Sequence, residues 1–321
     1  MNAKPRALIA PDKFRGTFSA AEVAAAIADG WPHHAELCPV ADGGEGTAQA
    51  LLDAWGGEWV LADATDPLGR SLEARYALLG DGNRAVVEVA AASGLRLLTH
   101  EERDPLGTTS RGTGELIAAA VLKGAETVYV ACGGSATTDG GAGLLEAFDP
   151  SAARLIAICD TDVPFERAAE VFAPQKGADE AQVKLLSGRL RQQAAELPRD
   201  PRGVPMSGGA GGIAGGLWAY GAELALGAPF VLDALYFDDR LGAADLVITG
   251  EGALDLTTLT GKAPAEVAKR AKAQGTPCHA IVGRDALEDR VRAGLNFSSV
   301  QEAGSLDAIS AAATRIDSAD V

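Results

Sequence analysis

Short runs of β-branched and apolar residues alternate along this chain with alanine- and leucine-rich stretches of helical period. Strand-length runs bounded by turn residues and followed by amphipathic helices build βα units, which pack as a mostly parallel sheet covered by helices. The expected class is therefore α/β. At 321 residues the chain is long for one domain and suits two, or one large one. Hydrophobic residues at 47% and charged residues at 22% are the balance of a folded soluble protein, which sets disorder aside.

The first run, RALIAP, reads as a strand, and the loop DKFRGTF carries it into a helix from about Ala20 to Gly30. Ser19 and Glu22 form an S-x-x-E capping box at that helix start. A second strand, AELCPVA, runs into DGGEGT and a helix AQALLDAW that stops at Gly56 and Gly57. Later, ETVYVACGG breaks into SATTDGGAG before the helical LLEAF. Near the end come a strand ADLVITG, a loop EGALDLTTLTGKA and a helix PAEVAKRAKAQG, with Pro264 early and Gly275 as its stop. Two further strands, PCHAIVG and FSSVQEA, complete the series. The first two and last three strands can share one five-stranded sheet, with the middle of the chain inserted. That predicts one domain from residues 1–63 with 235–321 and a second from 64–234. The expected linkers are Ala64 to Arg70 and a segment near GAPFVLDAL, and LPRDPRGVPM is expected to be an exposed loop.

A formal net charge of −16 repels a phosphate backbone or an anionic leaflet, which argues against nucleic acid or a membrane as the partner. No run of 18 apolar residues occurs, and the N-terminus enters a strand without a signal-peptide core, so the expected location is cytoplasmic. Cys38, Cys132, Cys159 and Cys278 lack CxxC spacing, which predicts neither disulfides nor zinc. Oligomeric state is not encoded in any pattern here.

Three loops that follow strands repeat one recipe of glycines, hydroxyls and a carboxylate: Asp42 to Thr47, Gly133 to Gly143, and Thr249 to Lys262. Open α/β sheets bind ligands beyond the carboxyl ends of their strands. Glycine there lets the backbone approach a phosphate, and the following helix offers N–H donors. The alternative is tight turns alone. The acids Asp42, Glu45, Asp139, Glu251 and Asp255 suit Mg²⁺ beside a nucleotide or a base for a substrate hydroxyl, the alternative being helix capping. Lys13, Arg15, Arg70, Arg111, Lys176 and Lys262 are the cations near these loops. The GKAP segment is not a Walker A loop, and no G-x-G-x-x-G fingerprint or G-x-S-x-G elbow is present. The four histidines have no metal-ligand spacing.

The stretches APDKFRGTFSAAEVAAAI, VADGGEGT, RDPLGTTSRGTGELI, GGSATTDGGAG, PQKGAD and ITGEGALDLTTLTGKAP closely resemble the class I glycerate kinases, in the same order along most of the chain. The resemblance implies ATP-dependent phosphorylation of D-glycerate to 2-phosphoglycerate, with 3-phosphoglycerate as the other possible product, and Mg²⁺ as cofactor. It implies two α/β domains, one Rossmann-like and built from both chain ends, the other inserted, with the site in the cleft between them. Together with the residue reading it selects Asp12, Lys13, Arg15, Asp42, Asp139, Lys176 and Asp255 as catalytic candidates. The nucleotide-binding candidates are Gly43, Gly44, Glu45, Gly133, Gly134, Ser135, Thr137, Thr249, Gly250, Glu251, Gly252 and Lys262. Asp160 and Asp162, in CDTDVPF, are the metal candidates.

The chain departs from the family pattern in places. The first loop has Lys13-Phe14-Arg15 where Ser-Phe-Lys is common, and Ala253 and Thr257 stand where the family has Arg and Gln. The segment after GAGLLEAF is abbreviated, so the inserted domain is expected to be shortened. Two rival readings follow: a degenerate member that binds glycerate or nucleotide without catalysis, and a kinase of another small hydroxy acid.

Overall fold

The computed structural model describes residues 5–14 and 16–316. Its strands are β1 (Arg6–Pro11), β2 (His34–Leu37), β3 (Gly57–Thr65), β4 (Ser71–Leu79), β5 (Arg84–Glu88) and β6 (Thr127–Cys132). They continue with β7 (Arg154–Cys159), β8 (Glu223–Leu226), β9 (Leu246–Glu251), β10 (Cys278–Val282) and β11 (Ser299–Glu302). The helices that frame the loops of interest are α1 (Ala20–Gly30), α2 (Thr47–Trp55), α3 (Arg111–Leu122), α4 (Ala142–Ala147), α5 (Glu180–Glu196), α6 (Ala263–Gln274) and α7 (Leu306–Ala313).

The chain forms two compact α/β units, residues 1–42 with 228–321, and residues 43–227. In the terminal unit five parallel strands lie in the order β11-β10-β9-β1-β2, the sheet expected from the two chain ends. Ala7, Leu8, Ile9 and Ala10 are all fully buried, as a central parallel strand covered on both faces requires. The capping box of α1 forms as read: Glu22 N donates to Ser19 Oγ at 3.3 Å, and Ser19 N donates to Glu22 Oε2 at 2.8 Å. That start aims Val23, Ala24 and Ile27 at Ile9, Ile248 and, from α7, Ile309.

The inserted unit holds a six-stranded sheet in the order β3-β4-β5-β6-β7-β8. β3, β4 and β5 pair antiparallel, and β5 to β8 pair parallel. Val87, Val130 and Ala157 from the strands pack with Leu116 and Ile117 of α3 and Leu144 of α4.

Two expectations need correction. Ala64 to Arg70 is no linker: β3 and β4 pair from Gly57–Leu79 to Thr65–Ser71, and the residues between make the hairpin turn. Asp66 organises it, its Oδ1 accepting from Leu68 N and Arg70 N, both at 2.9 Å. The unit borders fall at 42/43 and 227/228, where 63/64 and 234/235 were expected. The difference arises because α2 buries Leu51 and Leu52 and packs along β4 and β5 of the inserted sheet. Residues Gly227–Ala234 of the second expected linker are helical, and 197–206 is a loop, as read.

Candidate functional site

In the terminal unit the chain leaves β1 toward β2, while β9 continues the other way to β10 and β11. The direction of winding reverses between β1 and β9, which is where an open α/β sheet leaves a crevice at its strand ends. Asp12 follows β1 there, 4% exposed, with its N–H donated to Gly250 O at 2.8 Å. Lys13 Nζ lies 2.9 Å from Asp42 Oδ1 and 3.5 Å from Asp12 Oδ1. Glu251 ends β9 and is also buried, its Oε1 accepting from Thr258 Oγ1 at 2.6 Å. Lys262 Nζ approaches Glu251 Oε2 at 3.7 Å and Asp255 Oδ1 at 4.0 Å.

Three buried carboxylates thus share two ammonium groups. Burial lifts the Asp12 carboxyl to about 7; Lys13 pulls it down, and Asp42 and Glu251 push it back up. Burial likewise lifts Glu251 to about 7, against the opposing pull of Lys262 and Thr258. Asp255 differs. Burial raises its carboxyl too, but donation from the Thr257 hydroxyl and N–H outweighs that and leaves it below the usual range. It is the N-cap of the short 3-10 turn Leu256–Thr260, the capping alternative weighed for it. Thr249 Oγ1 donates to Ala10 O at 2.8 Å, tying β9 to β1 below the acids. Arg15 lies outside the described residues.

In the inserted unit the loop after β6 approaches two other segments closely. A Cβ on Gly133 would fall 2.6 Å from Gly44 Cα and 3.3 Å from Asp160 Oδ2, so only glycine lets these three meet. Lys176, 2% exposed, donates from Nζ to Ser135 Oγ at 2.9 Å, to Thr138 Oγ1 at 3.4 Å and to Thr137 O. Burial draws its ammonium down to about 7, while the charges of Asp139 and Asp160 hold it up. Thr137 Oγ1 is itself spent on Thr108 O at 2.9 Å.

Asp139 is placed as a cap. Its Oδ2 accepts from Ser110 N at 2.8 Å, Ser110 Oγ at 2.7 Å and Gly143 N at 3.2 Å, and its Oδ1 from Gly141 N at 3.0 Å. The carboxylate joins the start of α3 to the start of α4. Glu45 pairs with Arg96 at 2.6 Å on the surface. Asp160 is half-buried and Asp162 exposed. Arg70 pairs with Asp66 and Glu102, and Arg111 with Glu115.

One residue escaped the sequence reading. Glu88, at the end of β5, accepts through Oε1 from Gly46 N at 2.8 Å and Ala48 N at 2.9 Å. It therefore satisfies the amino end of α2, where the sequence suggested an open phosphate site. Forty-two residues separate it from Gly46, so no local pattern could signal it.

The sequence profile of the Glycerate kinase family matches residues 7–152 and 148–317. A glycerate kinase of Halalkalibacterium halodurans is 39% identical over 86% of this chain and 84% of its own. The glycerate 2-kinase of Escherichia coli is 38% identical over 94% of this chain and 92% of its own. A crystal structure provisionally assigned as glycerate kinase 2 of Salmonella typhimurium superposes with a TM-score of 0.80 at 34% identity, covering 98% of this chain and 97% of that one. Among the described residues no helix is long and apolar enough to cross a membrane. Matched across nearly its whole length, the chain belongs to the glycerate kinase family and is a kinase enzyme.

Proposed function

We propose that this kinase transfers the γ-phosphate of ATP, with Mg²⁺, to a hydroxyl of D-glycerate, giving 2-phosphoglycerate. The observation that carries the reading is Asp12, held beside Lys13 and Asp42 at the end of β1 with its carboxyl near neutrality. A base that takes a hydroxyl proton works best when its pKa lies close to the working pH. Lys13 supplies a point charge for the carboxylate of glycerate, and Asp42 fixes where that charge sits. Glu251, braced by Thr258 and Lys262, is a second buried acid beside the crevice.

In the inserted unit the turns Gly43–Gly44 and Gly133–Thr137 bring bare backbone together, the arrangement that accommodates phosphate oxygens. Among the described residues no three His, Cys, Asp or Glu side chains are grouped to hold a metal ion. That suits Mg²⁺, which keeps several waters and takes one or two carboxylates plus substrate phosphates. Asp160, packed on Gly133, is the carboxylate that fits; Asp162 is exposed and is left out. The ion would neutralise charge building on the phosphates. Asp139 and Asp255, committed as caps, are assigned no chemical step. Four buried free cysteines agree with residence in a reducing cytosol.

A coupled ADP-release assay with D-glycerate and Mg·ATP tests the reading, and phosphorus NMR of the product separates 2- from 3-phosphoglycerate. Turnover with D-glycerate faster than with L-glycerate, lactate or glycolate supports it. Pure folded protein that binds ADP yet releases none from ATP would mark a non-catalytic member, and a better rate on another hydroxy acid would displace glycerate.

A further inference from the structure

We propose that Lys176 is a positioning residue: it shapes the Gly133–Thr138 turn for phosphate from beneath and does not itself touch the substrate. The proposal rests on reading that turn as a phosphate cradle. All three Nζ donors are spent on the turn, on Ser135 Oγ, Thr137 O and Thr138 Oγ1, and only 2% of the residue is exposed. No N–H is left for an incoming anion.

The neutral character of those partners sets this lysine apart. Among the described residues no carboxylate oxygen lies within 4.0 Å of Nζ. Asp139 and Asp160 act on it only through space. A buried ammonium without a paired anion costs the fold more in lost hydration than its bonds to neutral oxygens return. Stability therefore does not explain a lysine here, whereas fixing the path of a turn does.

A glycine-rich segment that the proposed chemistry leaves unused supports the same role. Gly211, in the GGAGG run from Gly208 to Gly212, has φ +71, and a Cβ there would lie 2.1 Å from Thr137 O and 2.9 Å from Lys176 Nζ. Gly140 N donates to Gly211 O at 3.1 Å. The run thus lies against both the ammonium and the carbonyl it holds, and positive φ with no side chain is what that path demands.

Lys176→Met separates positioning from both rivals. Expected are a melting temperature no more than about 10 °C below the parent, since Ser135, Thr137 and Thr138 lose a donor, at least a tenfold weaker calorimetric Kd for Mg·ADP, and a kcat at least 100-fold lower. KM for glycerate should move less than threefold. A fall in melting temperature beyond 10 °C would make the lysine a structural element, and ADP affinity and kcat within threefold of the parent would leave it without a role; either outcome overturns the proposal. A change confined to the KM for glycerate would overturn it too, by placing Nζ on the substrate. ADP affinity is read without glycerate, so a parent that binds Mg·ADP but fails to phosphorylate glycerate defeats the proposed reaction and still tests Lys176. A parent with no affinity for Mg·ADP defeats both.

Discussion

Lys13 in the terminal unit and Lys176 in the inserted unit are the same side chain in opposite settings. Lys13 is partly exposed and shared between two aspartates; Lys176 is sealed among neutral oxygens of one turn. An ammonium balanced by carboxylates can exchange one anion for another at modest cost, so Lys13 suits a ligand that comes and goes. An ammonium whose donors are saturated by a buried turn cannot make that exchange, so Lys176 suits a permanent brace. Charge alone does not identify a binding residue; what already occupies the donors does.

The largest effect expected from breaking this contrast is at Asp12. Asp12→Asn should lower kcat by about 10²–10⁴-fold, the range of a lost general base, and abolish the acid limb of the rate profile near pH 7. A single-digit fold loss would remove Asp12 as the base. Lys13→Met should follow, with kcat/KM for glycerate down about 10–100-fold, roughly the 1.4–2.8 kcal/mol of a lost charge-assisted contact. With its nearest ammonium gone the Asp12 carboxyl should climb, and the acid limb should move to higher pH; a limb that stays put would uncouple the two residues.

Stability should respond to pH with opposite sign in the two units. Asp12 and Glu251, raised from 3.8 and 4.5 to about 7, bind more protons folded than unfolded across that window. The stability they add is full below pH 4 and is lost as pH rises through 7. Lys176, lowered from 10.5 to about 7, binds fewer protons folded than unfolded, so its contribution improves as pH rises from 7 toward 10.5. Melting curves of Asp12→Asn and Lys176→Met against pH should each flatten one window only; a variant that flattens neither contradicts the assigned charge state.

Asp139→Ala should act on the fold, stripping the acceptor from three N–H groups and a hydroxyl for about 2–3 kcal/mol in denaturant unfolding. Unchanged stability would reopen a chemical role. The smallest effect belongs to Glu45, whose partner Arg96 is exposed: Glu45→Ala should cost under about 0.5 kcal/mol and leave ADP affinity within twofold. A tenfold affinity loss would return Glu45 to the nucleotide.

Much of the fold was legible because its signals are local. The RALIAP run, the Ser19–Glu22 box and the strand-loop-helix series near the C-terminus all follow from periodicity and caps, and they assemble as expected. The antiparallel edge of the inserted sheet was harder to see. β3 and β4 alternate exposed and buried positions weakly, and the DPLG turn between them looks like a linker when its cross-strand partners are unknown. In the candidate site, residue types drew attention to loops rich in acids and cations. They could not say which acids already had donors, as Asp139 and Asp255 do, or that Glu88 would cap α2 from the end of β5.

By itself the sequence determined the strands and helices of the terminal unit, the pairing of both chain ends in one sheet and the three glycine loops, since propensity, period and capping act over a few residues. Only the tertiary structure decided that Asp12, Asp42 and Glu251 are buried near one another, that α2 joins the inserted unit and that Lys176 faces neutral oxygens. Those outcomes depend on burial and on partners brought from distant positions, and a carboxylate or an ammonium takes its character from that surrounding dielectric and hydrogen bonding.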